Sequence, residues 1–245
     1  MKVFFIKILL VLCFLFFLIH SFSYGYKSNT NKEEKGMISL PTPNYNSKIS
    51  IENALYKRRS IRSYKNEPLN IEEISQILWA AYGITYKIEN GPAYLRGGLK
   101  TSPSAGALYP LEIYIVAGNV TGLEPGIYRY RPQDHRLEII LKGDKRNDLC
   151  IAGFNQKMIK NAPADIVYSA IYNRTCKKYG KRGRERYVCM DLGHSAENIY
   201  LQAVSLNIGT CGIGAFSDIK VREVLNMPKE EEPLYIMPIG KLKNK

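Results

Sequence analysis

Thr101-Ser102-Pro103-Ser104-Ala105-Gly106-Ala107-Leu108-Tyr109-Pro110 runs straight into Leu111-Glu112-Ile113-Tyr114-Ile115-Val116-Ala117. The second half is β-rich and carries one charge, so it predicts a strand covered on both faces. The first half is built of small residues with prolines at Pro103 and Pro110. Such a loop lets a planar ligand approach the backbone, although a tight turn into a buried strand has the same composition. Downstream, Gly126 to Arg131 and Leu137 to Leu141 read as a hairpin turning on Pro132-Gln133-Asp134-His135. Ala164 to Ile171 is a second strand of the buried type, and Leu234 to Ile239 is a last one.

Helical signals surround these strands. Asn70-Ile71-Glu72-Glu73 is a capping box. It opens a helix with Ile74, Ile77, Leu78, Ala81 and Tyr82 on one face, stopping at Gly83. Tyr187 to Asn207 is the longest helical pattern, and its apolar residues are spread widely enough to be covered from two sides. Ser217-Asp218 caps a short helix through Leu225. Strands and helices alternate irregularly, so the expected fold is α+β, a mixed β-sheet flanked by helices, rather than a regular βαβ winding.

The chain has 245 residues, 45% hydrophobic and 23% charged, which excludes a disordered tail, a collagen-like fibre and a polytopic membrane protein. Its net charge of +13 points to anionic partners without choosing among them. The five cysteines form no CxxC pair, so no metal site has a spacing to rest on. Residues 1–23 have the pattern of a signal peptide or N-terminal membrane anchor. Lys2 and Lys7 precede an apolar run from Ile8 to Ile19, shorter than the roughly 20 residues of a spanning helix. Residues 24–48, rich in Ser, Asn, Lys and Pro, read as a linker, and residues 49–245 as the catalytic domain. The protein is therefore expected to be membrane-associated or exported.

Two further segments bear on chemistry. Lys57-Arg58-Arg59-Ser60-Ile61-Arg62-Ser63-Tyr64 places four cations and two serine hydroxyls at the end of a helix starting near Ser50. Guanidinium forks and hydroxyls suit the oxygens of a phosphate, although a solvated helix end looks the same. Gly209-Thr210-Cys211-Gly212-Ile213-Gly214-Ala215 offers bare main chain, but no GxGxxG opens a helix here, so a dinucleotide fingerprint is absent. Cys211 reads as small packing rather than a redox thiol. Between the two lies Lys177-Lys178-Tyr179-Gly180-Lys181-Arg182-Gly183-Arg184-Glu185-Arg186, which suggests either a solvated basic loop or a lid. On the long helix, Asp191, His194, Asn198 and Gln202 share a side, as a catalytic face or as a polar seam at an interface.

In this order, the Arg-Arg-Ser-Ile-Arg-Ser-Tyr start, the Pro-Ser-Ala-Gly-Ala-Leu-Tyr-Pro-Leu-Glu loop and strand, and the Asp-Leu-Gly-His-Ser-Ala-Glu-Asn helix followed by Gly-Thr-Cys-Gly-Ile-Gly resemble the nitroreductase-like flavoproteins. Within them the chain is similar to the SagB-type branch of thiazoline and oxazoline oxidases. The resemblance implies a homodimer with noncovalent FMN at the subunit interface, NAD(P)H as an electron donor in reductase members, and a small-molecule or peptide substrate. It sets Arg58, Arg59, Ser60 and Arg62, with Lys241 and Lys243, on the phosphate and ribityl segment. Ile213 and Gly214 fall at the flavin ring edge, and Pro103, Ser104 and Ala105 on the loop over the cofactor. Lys178 and Tyr179 match a Lys-Tyr pair that serves as general base. Where other members place an Asn in the loop, this chain has Ala107. Two competing readings are a membrane-tethered flavin-binding protein without turnover and a basic nucleic-acid-binding module. The second is disfavoured because the basic clusters sit beside Gly/Ser loops rather than among interleaved aromatics.

Overall fold

The computed structural model describes residues 36–243. The signal or anchor expected at residues 1–23 lies outside them. Seven strands form one sheet in the order β1-β8-β7-β5-β9-β11-β10: β1 (Met37–Ser39), β5 (Leu111–Ala117), β7 (Gly126–Arg131), β8 (Arg136–Lys142), β9 (Ala164–Ala170), β10 (Ile208–Thr210) and β11 (Glu232–Lys241). All its pairings are antiparallel. Among the described residues, parallel pairing is confined to a small ribbon of β2 (Leu69–Asn70) and β6 (Val120–Thr121) and to an isolated Ser60–Thr210 bridge. A further ribbon joins β3 (Ile84–Lys87) to β4 (Gly98–Lys100). The α+β reading holds.

Every residue of β5 and β9 is buried, because helices cover both faces of the sheet. Ile113, Ile115, Ile166 and Tyr168 pack with Ile74, Ile77 and Leu78 of α2 (Ile71–Tyr82) and Val188, Ile199 and Ala203 of α6 (Val188–Ser205). The alternate residues Tyr114, Val116 and Val167 pack with Leu149 and Ala152 of α3 (Arg146–Ala152), Ile159 of α4 (Lys157–Asn161) and Val221 of α7 (Asp218–Val224). The period of two along each strand thus feeds two separate cores. Ser195 ties the first of them: its hydroxyl donates to Ala81 O at 2.7 Å and lies 2.8 Å from Tyr168 Oη.

The Asn70 capping box is complete and opens α2 where expected, and Ser50 caps α1 (Ile51–Lys57). Two expectations need correction. Within the segment read as a linker, β1 extends the sheet beside β8, and Pro41 O accepts from Ser75 Oγ at 2.5 Å, while Asn44 and Gln76 exchange hydrogen bonds. Polar, proline-containing composition marks extended chain there, not separation from the domain. The basic run from Lys177 is not a loop. It continues α5 (Asn173–Arg182), kinks at Gly180 and passes through a wide turn, Gly183–Tyr187, into α6.

Candidate active site

The Lys57–Tyr64 and Gly209–Ala215 segments are one piece of structure. After α1 the chain bridges Ser60 to Thr210, Ile61 N donates to Thr210 O at 2.8 Å, and Tyr64 pairs with Leu242. Gly209 is needed for this approach, since a Cβ there would lie 2.7 Å from Ile61 Cγ2. Tyr200 of α6 joins the two: its hydroxyl accepts from Gly212 N at 2.7 Å and lies 3.3 Å from Ser60 Oγ. Around this seam opens a cavity of about 680 Å³ lined by Arg59, Ser60, Arg62, Ser63, Thr210 and Lys243, with Ile61, Val204, Ile208 and Leu242 as apolar wall.

Two of the cations assigned to the same segment face elsewhere. Arg58 turns to Glu197 at 3.8 Å and lies 5.3 Å from the Tyr200 ring centre. Lys241 is ion-paired with Glu73 at the start of α2. Ile213 is buried in a bridge to Ile236, whereas Gly214 is exposed with open space beside its Cα. Cys211 is fully buried against Tyr64, and burial pushes its thiol up, consistent with packing.

The Thr101–Pro110 segment builds a separate place. Ser104 Oγ donates to Asp191 Oδ2 at 2.5 Å, Ala105 N donates to Asp191 Oδ1 at 3.2 Å, and Tyr109 N donates to Ser104 Oγ at 2.9 Å. A Cβ at Gly106 would fall 2.7 Å from Tyr179 Oη and 3.3 Å from Lys178 Nζ. The structure therefore brings Lys178 and Tyr179 against Gly106, the residue after Ala105. It does not bring this group to the cation cavity. Asp191 and Tyr200 are nine residues apart on α6, roughly 13 Å along its axis, so the two groups stand at different ends of one helix.

The donors around the cavity fit a phosphorylated, partly apolar ligand such as FMN. Thr210 Oγ1 is buried there without a hydrogen-bond partner, so the wall holds an unused polar atom as well as cations. The pattern of the nitroreductase family matches residues 55–241. The chain belongs to the nitroreductase family. It is 45% identical over 193 residues to a Methanocaldococcus jannaschii protein named as a nitroreductase, covering 79% of this chain and 91% of that one. It is also similar to the microcin B17-processing protein of Escherichia coli, 24% identical over 144 residues, or 56% of this chain and 53% of that one. A Ralstonia eutropha structure described as a nitroreductase superposes with a TM-score of 0.71 at 28% identity, covering 86% and 91% of the two chains. The E. coli microcin synthetase complex shares the fold, with a TM-score of 0.62 at 21% identity over 84% and 78%. The protein is thus a nitroreductase-family oxidoreductase.

Two residues near the Ser104–Tyr109 loop escaped the sequence. Glu112 is buried between Arg174 at 2.6 Å, Arg96 at 2.7 Å and Arg129 at 3.4 Å. Burial alone would push its carboxyl up, but the three guanidiniums together hold it below the usual range. Lys100 is buried with its amine 3.8 Å from the Tyr82 ring centre and 5.0 Å from that of Tyr109. Both rings favour a cation. Burial and the nearby Arg96 outweigh them and bring the amine down to about 6. Its strand, Gly98–Lys100, is too short to show a period, so no sequence signal marked it. The polar side of α6 is partly a seam within the chain: besides Asp191, Asn198 donates to Thr101 O at 3.3 Å and Gln202 accepts from Gln76.

Proposed function

We propose that the chain is an FMN-dependent dehydrogenase of azoline rings carried on a peptide, working as a homodimer. The observation that carries the reading is Lys178 Nζ and Tyr179 Oη seated on Gly106, one residue beyond Ala105. A reductase fed by NAD(P)H has no need of a base at that place. The 24% likeness to a microcin-processing protein supports the same direction.

Arg59, Arg62, Ser60 and Lys243 would hold the FMN phosphate and ribityl chain, with Arg58 and Lys241 as flanking charge. The Ile213–Gly214 main chain would face the ring edge. When bound, FMN supplies a two-electron acceptor for hydride. Lys178 Nζ then takes the proton from the carbon adjacent to the one losing hydride, and Tyr179 Oη orients the amine. The Pro103–Ala105 loop excludes water from the reacting face.

The second copy is part of this reading, because one chain holds its cation cavity and its loop at different ends of α6. Beside α6, α1 leaves Ile51, Leu55 and Tyr56 exposed, and a cavity of about 460 Å³ lined by Ile49, Ala54, Trp79 and Leu201 adjoins it. This face suits a dimer contact. Residues 1–23 are proposed to direct the chain to a membrane. Among the described residues no helix is long and apolar enough to cross one.

The test is purification of the full chain with its chromophore, followed by flavin reduction with NADPH and with a thiazoline-containing peptide. Lys178→Ala is expected to lose the peptide reaction and keep the NADPH reaction. Equal rates for variant and wild type with both donors would remove the base.

A further inference from the structure

We propose that Asp191 is a positioning residue, which holds the Ser104–Tyr109 loop in the one conformation that seats Lys178 and Tyr179. The proposal takes its chemistry from the dehydrogenase reading, whereas its geometry stands independently.

The first residues of the loop are held by one side chain. Asp191 is buried, with 2% of its surface exposed, and both its oxygens are engaged by the loop, by Ser104 Oγ at 2.5 Å and Ala105 N at 3.2 Å. Because the Ser104 hydroxyl donates to Asp191, its lone pairs face Tyr109 N, which donates back at 2.9 Å. That closes a ring from Ser104 to Tyr109 upon one carboxylate.

Inside the ring the backbone is left-handed at Gly106 (φ 65), Ala107 (φ 55) and Tyr109 (φ 46). Left-handed Ala and Tyr persist only where the surroundings over-determine them. Here the surroundings are Asp191 on one side and, on the other, Lys100 beside the buried Tyr109 ring and Arg174 of α5, which donates to Tyr109 O at 3.4 Å. The strained turn presents Gly106 outward, and the tips of Lys178 and Tyr179 occupy the space a side chain would fill.

Lys178 has no ion pair among the described residues, and its neighbour Tyr179 is braced by Tyr187 at 4.9 Å between ring centres. The loop is therefore the surface against which the amine is placed. The path runs from Asp191 through Ser104 and Ala105 to Gly106 and then to the two tips. It connects two elements, α5 and α6, that the sequence separates by the Gly180 kink and the wide turn.

Hydrogen exchange on the full chain tests this without reference to substrate. In Asp191→Asn and in Ser104→Ala, amides of residues 104–109 and of α5 are expected to exchange faster together, with β5 and β9 unchanged. Ser104→Ala removes one hydroxyl only, so it decides the matter if Asp191→Asn does not fold. Faster exchange in the loop with α5 unchanged, or no change in either, would overturn the proposal. With a thiazoline peptide as donor, kcat should fall about 10- to 100-fold at unchanged KM and flavin content, as for a misplaced reacting group. A raised KM at wild-type kcat would also overturn it. Failure of the wild type to oxidise the peptide would refute the dehydrogenase reading, and the exchange result would still decide the role of Asp191.

Discussion

The two ends of α6 are built on different principles. At the Tyr200 end, a contiguous basic segment is laid along β10 and the C-terminal strand, so Arg59 and Arg62 arrive together from one stretch of chain and Lys243 joins them from beyond the last strand. At the Asp191 end, residues from β4, the loop before β5, α5 and α6 meet only after folding. Binding chemistry can be held by local chain. Placement of a reacting group needs an anchor that several elements agree on.

The largest effect should come from beneath the loop end. Glu112→Ala leaves Arg96, Arg129 and Arg174 without their buried partner, which costs about 3–5 kcal/mol. Urea unfolding would measure it, and a loss under 1 kcal/mol would show the loop end to be less dependent on this carboxylate than the contacts indicate. At the other end, Arg62→Ala should weaken flavin retention by about 1.5–3 kcal/mol, while Lys178→Ala leaves retention unchanged. Equal flavin loss in both variants would erase the distinction between the ends.

These differences explain what could be read in advance. The capping box at Asn70, the strand at Leu111–Ala117 and the helix at Ser217 are set by neighbours within a few residues, so local chemistry marked them. The segment from Arg58 to Arg62 was legible for the same reason, but its division was not. Arg59 and Arg62 line the cavity while Arg58 leans on Glu197 of α6, and nothing in the run of basic residues distinguishes them. Lys241 is likewise drawn away from the cavity by Glu73, a partner 168 positions away. The helical state of Lys177–Arg182 was hidden because Gly180 and the density of charge imitate a loop. What holds it is contact, with Thr175 packed on Gly183 and Arg184 paired to Glu232 and lying over Tyr172.

An effect smaller per pH unit contrasts two buried groups of opposite sign. Asp165 of β9 is buried with neither oxygen partnered, and burial pushes its carboxyl up against the opposing pull of Arg146. It therefore contributes stability below the unfolded carboxylate range that is lost as pH rises toward its folded value. Lys100, brought down to about 6, acts in the opposite direction. Between pH 6 and its unfolded range the unfolded chain binds more protons, so stability rises with pH. Each slope is at most about 1.4 kcal/mol per pH unit. Lys100→Met should flatten the rise between pH 6 and 9 in urea midpoints, and Asp165→Asn should flatten the fall above pH 4. Parallel curves for variant and wild type would show that the group does not titrate on unfolding.

The central claim is that one working site takes its cations from one copy and its loop, Lys178 and Tyr179 from another. Mixing two inactive chains tests it most directly. In a heterodimer of Arg62→Ala and Lys178→Ala, one composite site has both ends intact, and peptide oxidation should return to about half the wild-type rate per dimer. If the mixed dimer forms, binds flavin and stays as inactive as either parent, the site is complete within one chain and the claim is wrong.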